Sequence, residues 1–538
     1  MERQTFTWGR SGSKIRRTER WVEGLWLLGL LLTALLLFSV NLATVPLQDW
    51  REGTIALVAR EIATVPIESW QWLYPKLAGK PYLEEAPLLP SLIAGAYKLG
   101  GFNEWTTRLP GAILSAFSVP LLYSIGRELF PSRQSAIFSG LIYLTFLPLA
   151  CTGRFAIADG TGLCLVLLMM WCILRSRRDF RTSLGAGIGL SLICLTKGIL
   201  LGLLILAIAL LFLCWDTPRL LRSGYWWLGL LLGSVPVAAW YTGGLLEYGQ
   251  SFLTIGIDSQ SLKRLWSPIE GQSSAAWYDL GETLLFSAPW LLFWPYGLRL
   301  AWEHRNWGWA KLVLVWTSVY VFAIALTLIN LPWYSLPIYP ALALAGGAQL
   351  AEVWNWPSSK SYPRIWRTGL ILLALSAIAL SIYFGIRGSS DRSLAVIFAS
   401  LALTMAMAAV LVARRDLQFI LILFWGTYIS LLLFMTSPYW VWQLEATYPV
   451  RDIGAILRLR TPESQLIYAS FPSERPALKF YSDRKVIPAS NPELKRHWEQ
   501  DKQPYLLLDI NTFNQLDLEP GQKIATAIGW VLITKDTN

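Results

Sequence analysis

Charge is what this chain has little of. Acidic and basic residues make up 15% of its 538 residues, against 54% hydrophobic, whereas a soluble domain carries roughly 25% charged residues. The deficit excludes an ordinary water-soluble protein and points to lipid. Histidine is scarcer still: His304 and His497 are the whole complement. No histidine-based metal site or catalytic triad is therefore expected on the outer face of a membrane. The five cysteines, Cys151, Cys164, Cys172, Cys194 and Cys214, form no C-x-x-C pair and lie in or beside apolar runs. Structural disulfides and a cysteine metal site are not expected. No G-x-x-x-x-G-K-[ST] segment occurs, so a P-loop is absent. Internal repeats and low-complexity segments are missing too.

What is present is a series of apolar runs near the roughly 20 residues needed to cross a hydrocarbon core. About thirteen are found, at 25–45, 110–129, 134–151, 160–174, 184–195, 199–215, 226–242, 280–300, 311–329, 332–350, 369–386, 394–412 and 417–435. The first follows Arg10, Lys14, Arg16, Arg17 and Arg20 and has no small-residue cleavage site behind it, so an uncleaved first span is expected. Alternate loops carry the basic residues, among them Arg127/Arg133, Arg175/Arg177/Arg178, Arg219/Arg222 and Arg414/Arg415. The positive-inside rule places those loops and the N-terminus in the cytoplasm, and an odd number of spans puts the C-terminal segment outside. The net charge of +11 is explained by that asymmetry. Without a basic stripe interleaved with aromatics, no nucleic-acid partner is expected.

These patterns predict a polytopic α-helical membrane protein with a membrane domain over 1–436 and a soluble extracytoplasmic α/β domain over 437–538. Two long outer loops are expected, at about 46–109 and 243–279. In the first, Ile55, Val58, Ala59 and Ile62 recur at helical spacing, which predicts a helix lying along the interface. A second is expected near 87–99. In the C-terminal domain, 466–470, 505–510 and 530–534 read as strands, and 450–459 and 492–500 as helices.

Ionisable groups at the outer ends of spans carry the candidate chemistry, because such groups are expensive near hydrocarbon. Asp49 and Glu52 lie three apart, on one face of a helix, with Arg60 two turns beyond Glu52. Ordinary ion pairs on a solvated helix explain them equally well. Asp159 stands at the entry to a span, five residues after Arg154, where a helix cap is the alternative. Lys197 lies between two apolar runs, where snorkelling is the alternative. Tyr334 follows a prolyl break, and an aromatic belt would account for it.

Taken in order, these places resemble the signature of the bacterial GT-C membrane glycosyltransferases of the aminoarabinose-transferase and protein-mannosyltransferase group. The resemblance runs from Glu52 through Arg60-Glu61, Tyr82-Leu-Glu84 and Asn103…Arg108-Leu-Pro110 to Arg154…Asp159, Thr196-Lys197-Gly198 and Pro332-Trp-Tyr334. It implies a GT-C-like fold and transfer of a sugar from a polyprenyl-phosphate donor to an acceptor hydroxyl on a lipid, glycan or protein, at the outer face of a bacterial inner membrane. It implies Asp49 or Glu52 as general base or its support, and Asp159 as a second carboxylate. Arg60, Tyr82, Glu84, Arg154, Lys197 and Tyr334 would bind substrate. No cofactor is fixed by the resemblance, although some members use a divalent cation; any metal ligands are unknown. The C-terminal domain would cap the cavity or receive the acceptor.

The chain also departs from the family pattern. Arg51 stands where the first-loop motif has Asp, Glu85 where it has Lys, and Asn330 where a lysine precedes Leu-Pro-x-Tyr. A histidine frequent near positions 272–273 is Gln272-Ser273 here. Besides glycosyl transfer, the pattern is consistent with a catalytically impaired binder of lipid-linked sugar. A transporter is the more distant alternative, since the spans hold few charges near their midplane.

Overall fold

The computed structural model describes residues 11–77, 79–252, 254, 281, 283–326, 332–357, 360–386, 392–441, 450–463, 465–516, 518, 521–527 and 529–535. Contacts divide the chain into two compact units: Met1–Asn41, Leu83–Leu88 and Gly111–Trp440 form one, and Leu42–Tyr82, Leu89–Pro110 and Val441–Asn538 the other. That line differs from the hydropathy boundary at 436. Most of the first outer loop belongs with the C-terminal segment: Asp49 pairs with Arg475, Arg60 with Asp483 and Glu104 with Arg451.

The first unit is helical. Among the described residues, nine helices are long and apolar enough to cross a bilayer, and each coincides with one of the thirteen expected spans. The other four expected spans contain shorter helices, each with an identifiable interruption. Arg133–Leu144 ends at Thr145, ahead of the proline-initiated helix Leu147–Thr152. Leu184–Lys197 is closed by Gly198, whose φ of 85° suits glycine. Trp294–Glu303 follows the separate turn Trp290–Leu292 and has a proline in its first turn. Tyr339–Trp354 follows the 3₁₀ segment Pro332–Ile338. Short apolar helices of this kind are usually sheltered by protein. Here 14 of the 16 residues of Tyr339–Trp354 are buried, Glu352 and Trp354 being the exceptions.

Small residues bring these helices together, the usual device where lipid tails offer no hydrophobic drive between helices. A Cβ added to Gly187 would lie 1.8 Å from the carbonyl oxygen of Gly229, and one on Gly233 would lie 2.1 Å from that of Gly187. Helices Leu184–Lys197 and Gly224–Tyr248 therefore meet backbone to backbone. Gly297 approaches Ala345 in the same way, with 2.0 Å from its virtual Cβ to the Ala345 oxygen.

In the second unit, the strands are β1 (Lys76–Leu77), β2 (Lys80–Pro81), β3 (Leu466–Ala469), β4 (Lys485–Pro488), β5 (Tyr505–Asp509), β6 (Gly521–Ala527) and β7 (Trp530–Lys535). β1 and β2 form a two-stranded hairpin. The main sheet has the order β4-β3-β5-β7-β6. β4, β3 and β5 are parallel, and β7 and β6 complete the sheet antiparallel. Every side chain from Tyr505 to Leu508 is buried, as a strand covered on both faces requires. Tyr505 and Leu507 join one core with Ile453 and Leu457 of helix Val450–Arg460 and Leu478 of helix Pro476–Ser482. Leu506 and Leu508 join another with Leu494 and Trp498 of helix Asn491–Gln500. The expected α/β character is thus realised as a two-faced sheet.

The first loop supplies helices Thr54–Thr64 and Leu88–Gly100, at the two places where helices were expected. The apolar face of Thr54–Thr64 packs on protein: Val58 and Ile62 cluster with Tyr82 and Ala94.

Candidate functional site

In the first unit, Asp159 and Lys197 form an ion pair, with Nζ 2.6 Å from Oδ1. Each sits where its helix favours its charge. Asp159 is in the first turn of Ala158–Arg175, where the helix dipole favours an anion, and Lys197 is the last residue of Leu184–Lys197, where it favours a cation. Gly162, one turn after Asp159, makes room for the lysine: a Cβ there would come within 3.2 Å of Lys197 Cγ. The side chains are 10% and 23% exposed, so the pair is sheltered yet reachable. An ammonium has three donors, so a lysine tethered by one carboxylate oxygen keeps capacity for a phosphate oxygen.

Arg154 is built into the scaffold. It is fully buried. Its guanidinium donates to the carbonyls of Leu37 (2.8 Å), Val40 and Met435 (3.4 Å) and lies 4.4 Å from the Trp440 ring centroid. Those carbonyls belong to the C-terminal ends of helices Ser11–Ser39 and Gln418–Thr436. A cation satisfies the acceptors that helix ends leave open. Phosphate binding, which the resemblance implies for Arg154, would have to compete with these bonds.

In the second unit, Glu52 is fully buried and faces Arg108, also fully buried. Arg108 donates Nε to Oε1 at 2.8 Å and Nη2 to Oε2 at 2.6 Å, and the Gln48 N–H donates to Oε2 at 3.0 Å. The guanidinium also donates to the carbonyls of Leu42, Val45 and Pro46 at 2.7–2.9 Å. Bidentate pairing with added backbone bonds is what allows a buried ion pair to persist. A carboxylate held this way is poorly placed to accept an acceptor's proton, which requires direct hydrogen-bond reach.

Asp49 begins the short π-helical segment Asp49–Gly53. Its Oδ2 accepts from Arg475 Nη1 and its Oδ1 from the Ala477 N–H, both at 3.0 Å. Burial pushes this carboxyl above the ordinary Asp value, and Arg475 and the Ala477 N–H counter only part of the rise. Gly53 permits the close fit, since a Cβ there would meet the Ala477 nitrogen at 2.6 Å. Arg60 donates to Asp483 at 2.6 Å and lies 5.2 Å from the Phe102 ring. Tyr82 is buried with Val58 and Ile62. Glu84 is exposed, and Glu85 and Arg51 are half-buried. The side chain of Tyr334, position 330, most of the loop 243–279 and positions 272–273 lie outside the described residues.

Sequence reasoning singled out Asp49 and Glu52, but named Arg108 only within the resembling motif and Arg475 not at all. It also missed Glu104, whose Oε1 accepts from Arg451 Nε at 3.0 Å and from Tyr481 Oη at 2.9 Å. The available signal was the charged pair Glu104 and Arg108 at the mouth of an apolar run. Among the described residues, no three His, Cys, Asp or Glu side chains gather as a metal site, and no step is assigned to an ion.

A family model described as dolichyl-phosphate-mannose-protein mannosyltransferase matches residues 84–241. An undecaprenyl phosphate-alpha-4-amino-4-deoxy-L-arabinose arabinosyl transferase of Pseudomonas fluorescens is 27% identical over 348 residues, covering 62% of this chain and 60% of that relative. The fold is similar to that of ArnT from Cupriavidus metallidurans bound to undecaprenyl phosphate, with a TM-score of 0.76, 18% identity and coverage of 95% and 98% of the two chains. By sequence and fold the chain is similar to the GT-C membrane glycosyltransferases of the ArnT and protein-mannosyltransferase group. A weaker likeness of fold is found with the archaeal oligosaccharyltransferase AglB from Archaeoglobus fulgidus, with a TM-score of 0.52 and 13% identity, over 92% of this chain and 70% of that one. An uncharacterised Aquifex aeolicus protein is 25% identical over 84% of this chain and 85% of its own length. With the Pseudomonas arabinosyl transferases the match spans about 57–60% of their length.

Proposed function

We propose that this chain is a GT-C membrane glycosyltransferase that transfers a sugar from a polyprenyl-phosphate donor to an acceptor hydroxyl at the outer face of a bacterial inner membrane. The Asp159–Lys197 pair is the observation that carries this reading. It joins a carboxylate and a cation at two helix ends, sheltered but not sealed. Lys197 would bind the donor phosphate and stabilise the charge that develops on it as the glycosidic bond breaks. Asp159 would hold Lys197 in place and would shape the acceptor site. The N-terminus is taken as cytoplasmic and the C-terminal segment as extracytoplasmic, from the distribution of basic loops.

Purified protein in nanodiscs, given a radiolabelled polyprenyl-phosphate sugar and a cell-envelope extract, should move label to an acceptor, and Lys197→Met should slow that about a hundredfold or more. Turnover undiminished in Lys197→Met would remove the pair from the mechanism.

A second reading is supported by the engagement of both candidate bases of the first loop, Glu52 with Arg108 and Asp49 with Arg475. If neither is released, the protein would bind lipid-linked sugar without transferring it. Saturable binding with no label transfer to any extract would favour that reading. For the transfer reading, Asp49 is the better first-loop base: its carboxyl is partly exposed and its proton affinity is raised by burial.

A further inference from the structure

In the first unit, helices Ser11–Ser39 and Glu104–Leu129 touch at a polar end and part around an apolar groove. At the polar end, Glu23 accepts from Tyr123 Oη at 2.5 Å, and both Arg127 and Arg133 pair with Glu23 Oε1 at 2.9–3.0 Å. One helical turn further, Leu27 and Leu31 face Phe117, Pro120, Leu121 and Ser124 across a cavity of about 390 Å³. Ser124 lies three residues before Arg127 and Leu27 four after Glu23, so the groove begins one turn from the arginines and runs away from them. Two guanidinium groups share one carboxylate there, leaving a net positive end. Each directs both Nε and Nη2 at Glu23, and its planar fork carries Nη1 on the far edge. Both arginines are about 30% exposed.

We infer that this groove holds an acyl chain of an anionic phospholipid whose phosphate is bound by Arg127 and Arg133. The apolar walls match a hydrocarbon chain, and the basic end matches an anionic head group at the depth where that chain begins. Neither half suits a water-soluble anion, which would gain nothing from the groove, nor a zwitterionic lipid, whose head-group cation would meet two arginines. On the orientation proposed above this end faces the cytoplasm; the binding itself does not depend on glycosyl transfer.

Native mass spectrometry of the full chain, released from nanodiscs of mixed phosphatidylglycerol and phosphatidylcholine, tests the inference without any turnover assay. One phosphatidylglycerol should be retained in preference to phosphatidylcholine. Arg127→Gln and Arg133→Gln should each weaken retention about fivefold. Leu121→Trp, which fills the groove and leaves the arginines in place, should also abolish it while thermal unfolding stays unchanged. Soluble glycerophosphoglycerol, the same head group without chains, should not compete. Equal retention of phosphatidylcholine, competition by the chainless head group, or full retention in Leu121→Trp would each overturn the proposal.

Discussion

Glu52 and Arg108 face one another through two parallel N–H···O bonds, both side chains sealed from solvent. Three backbone carbonyls take further donors of the same guanidinium. The pair ties the first turn of helix Glu104–Leu129 to the segment 42–52. Its sequence position, at the edge of a family motif, suggested chemistry; its geometry supports architecture.

Removing one partner of such a pair leaves a buried charge uncompensated, a loss of about 3–5 kcal/mol. Glu52→Gln should therefore lower the unfolding free energy by about that amount, read from denaturant titration of the reconstituted protein. A double replacement by apolar residues, Glu52→Leu with Arg108→Met, should not recover it, because the carbonyls of Leu42, Val45 and Pro46 and the Gln48 N–H would lose their partners. A Glu52→Gln protein as stable as the wild type but without turnover would show instead that Glu52 is the base.

Asp49 gives a pH dependence of definite sign. Its carboxyl has a folded-state proton affinity raised by burial from the ordinary 3.8. The folded state then favours the protonated form, so its contribution to stability is fully present below pH 3.8 and is lost as pH rises through the folded value. Asp49→Asn should flatten that part of the stability profile at little cost near neutral pH, because Asn still accepts from the Ala477 N–H. Arg475→Gln should deepen the loss, since it removes the cation opposing burial. A wild-type profile that rises over the same window would contradict the assignment.

The membrane architecture was legible because span length is a local property. The nine long helices lie where hydropathy placed them, while the four shorter ones are ended by residues such as Gly198 and Thr145, whose effect depends on turn geometry. In the C-terminal sheet, β5 announced itself with a continuous apolar run. β4 did not: Lys485–Pro488 has no fully buried residue and ends in proline. The union of the first loop with the C-terminal segment was not legible. Asp49 and Arg475 lie 426 residues apart, and no periodicity encodes which distant charge will meet which. Asp159 and Lys197 could be picked singly for their cost near hydrocarbon, but their pairing also needed Gly162, whose missing side chain carries no signal of its own.

The crossing of Leu184–Lys197 with Gly224–Tyr248 should tolerate no side chain at Gly187. A methyl group would overlap the Gly229 carbonyl, and overpacking of this kind costs about 1–3 kcal/mol. Gly187→Ala should lower the unfolding temperature in nanodiscs, whereas Gly24→Ala, with nothing within 4 Å of its virtual Cβ, should not. Equal behaviour of the two variants would mean that the helices do not meet at these glycines.

The Asp159–Lys197 pair can be separated from a merely structural bridge by exchanging its charges. If the pair only ties two helices together, Asp159→Lys combined with Lys197→Asp should restore both stability and turnover lost in the single variants. If Lys197 binds the donor phosphate, the exchange puts a carboxylate where the phosphate must lie, and turnover stays absent even when the fold recovers. Each swapped charge also sits at the wrong helix end, a penalty of about 0.3–1 kcal/mol apiece, so recovery of stability should be incomplete but measurable. Lys197→Arg then discriminates further. It keeps the charge but widens the group over Gly162, so donor KM should rise more than kcat falls. Lys197→Met should lower kcat/KM by about 10²–10³, the scale seen when one preorganised electrostatic donor is removed. Full turnover in the charge-exchanged protein would reduce the pair to a structural tie and move the search for the phosphate-binding cation elsewhere on the chain.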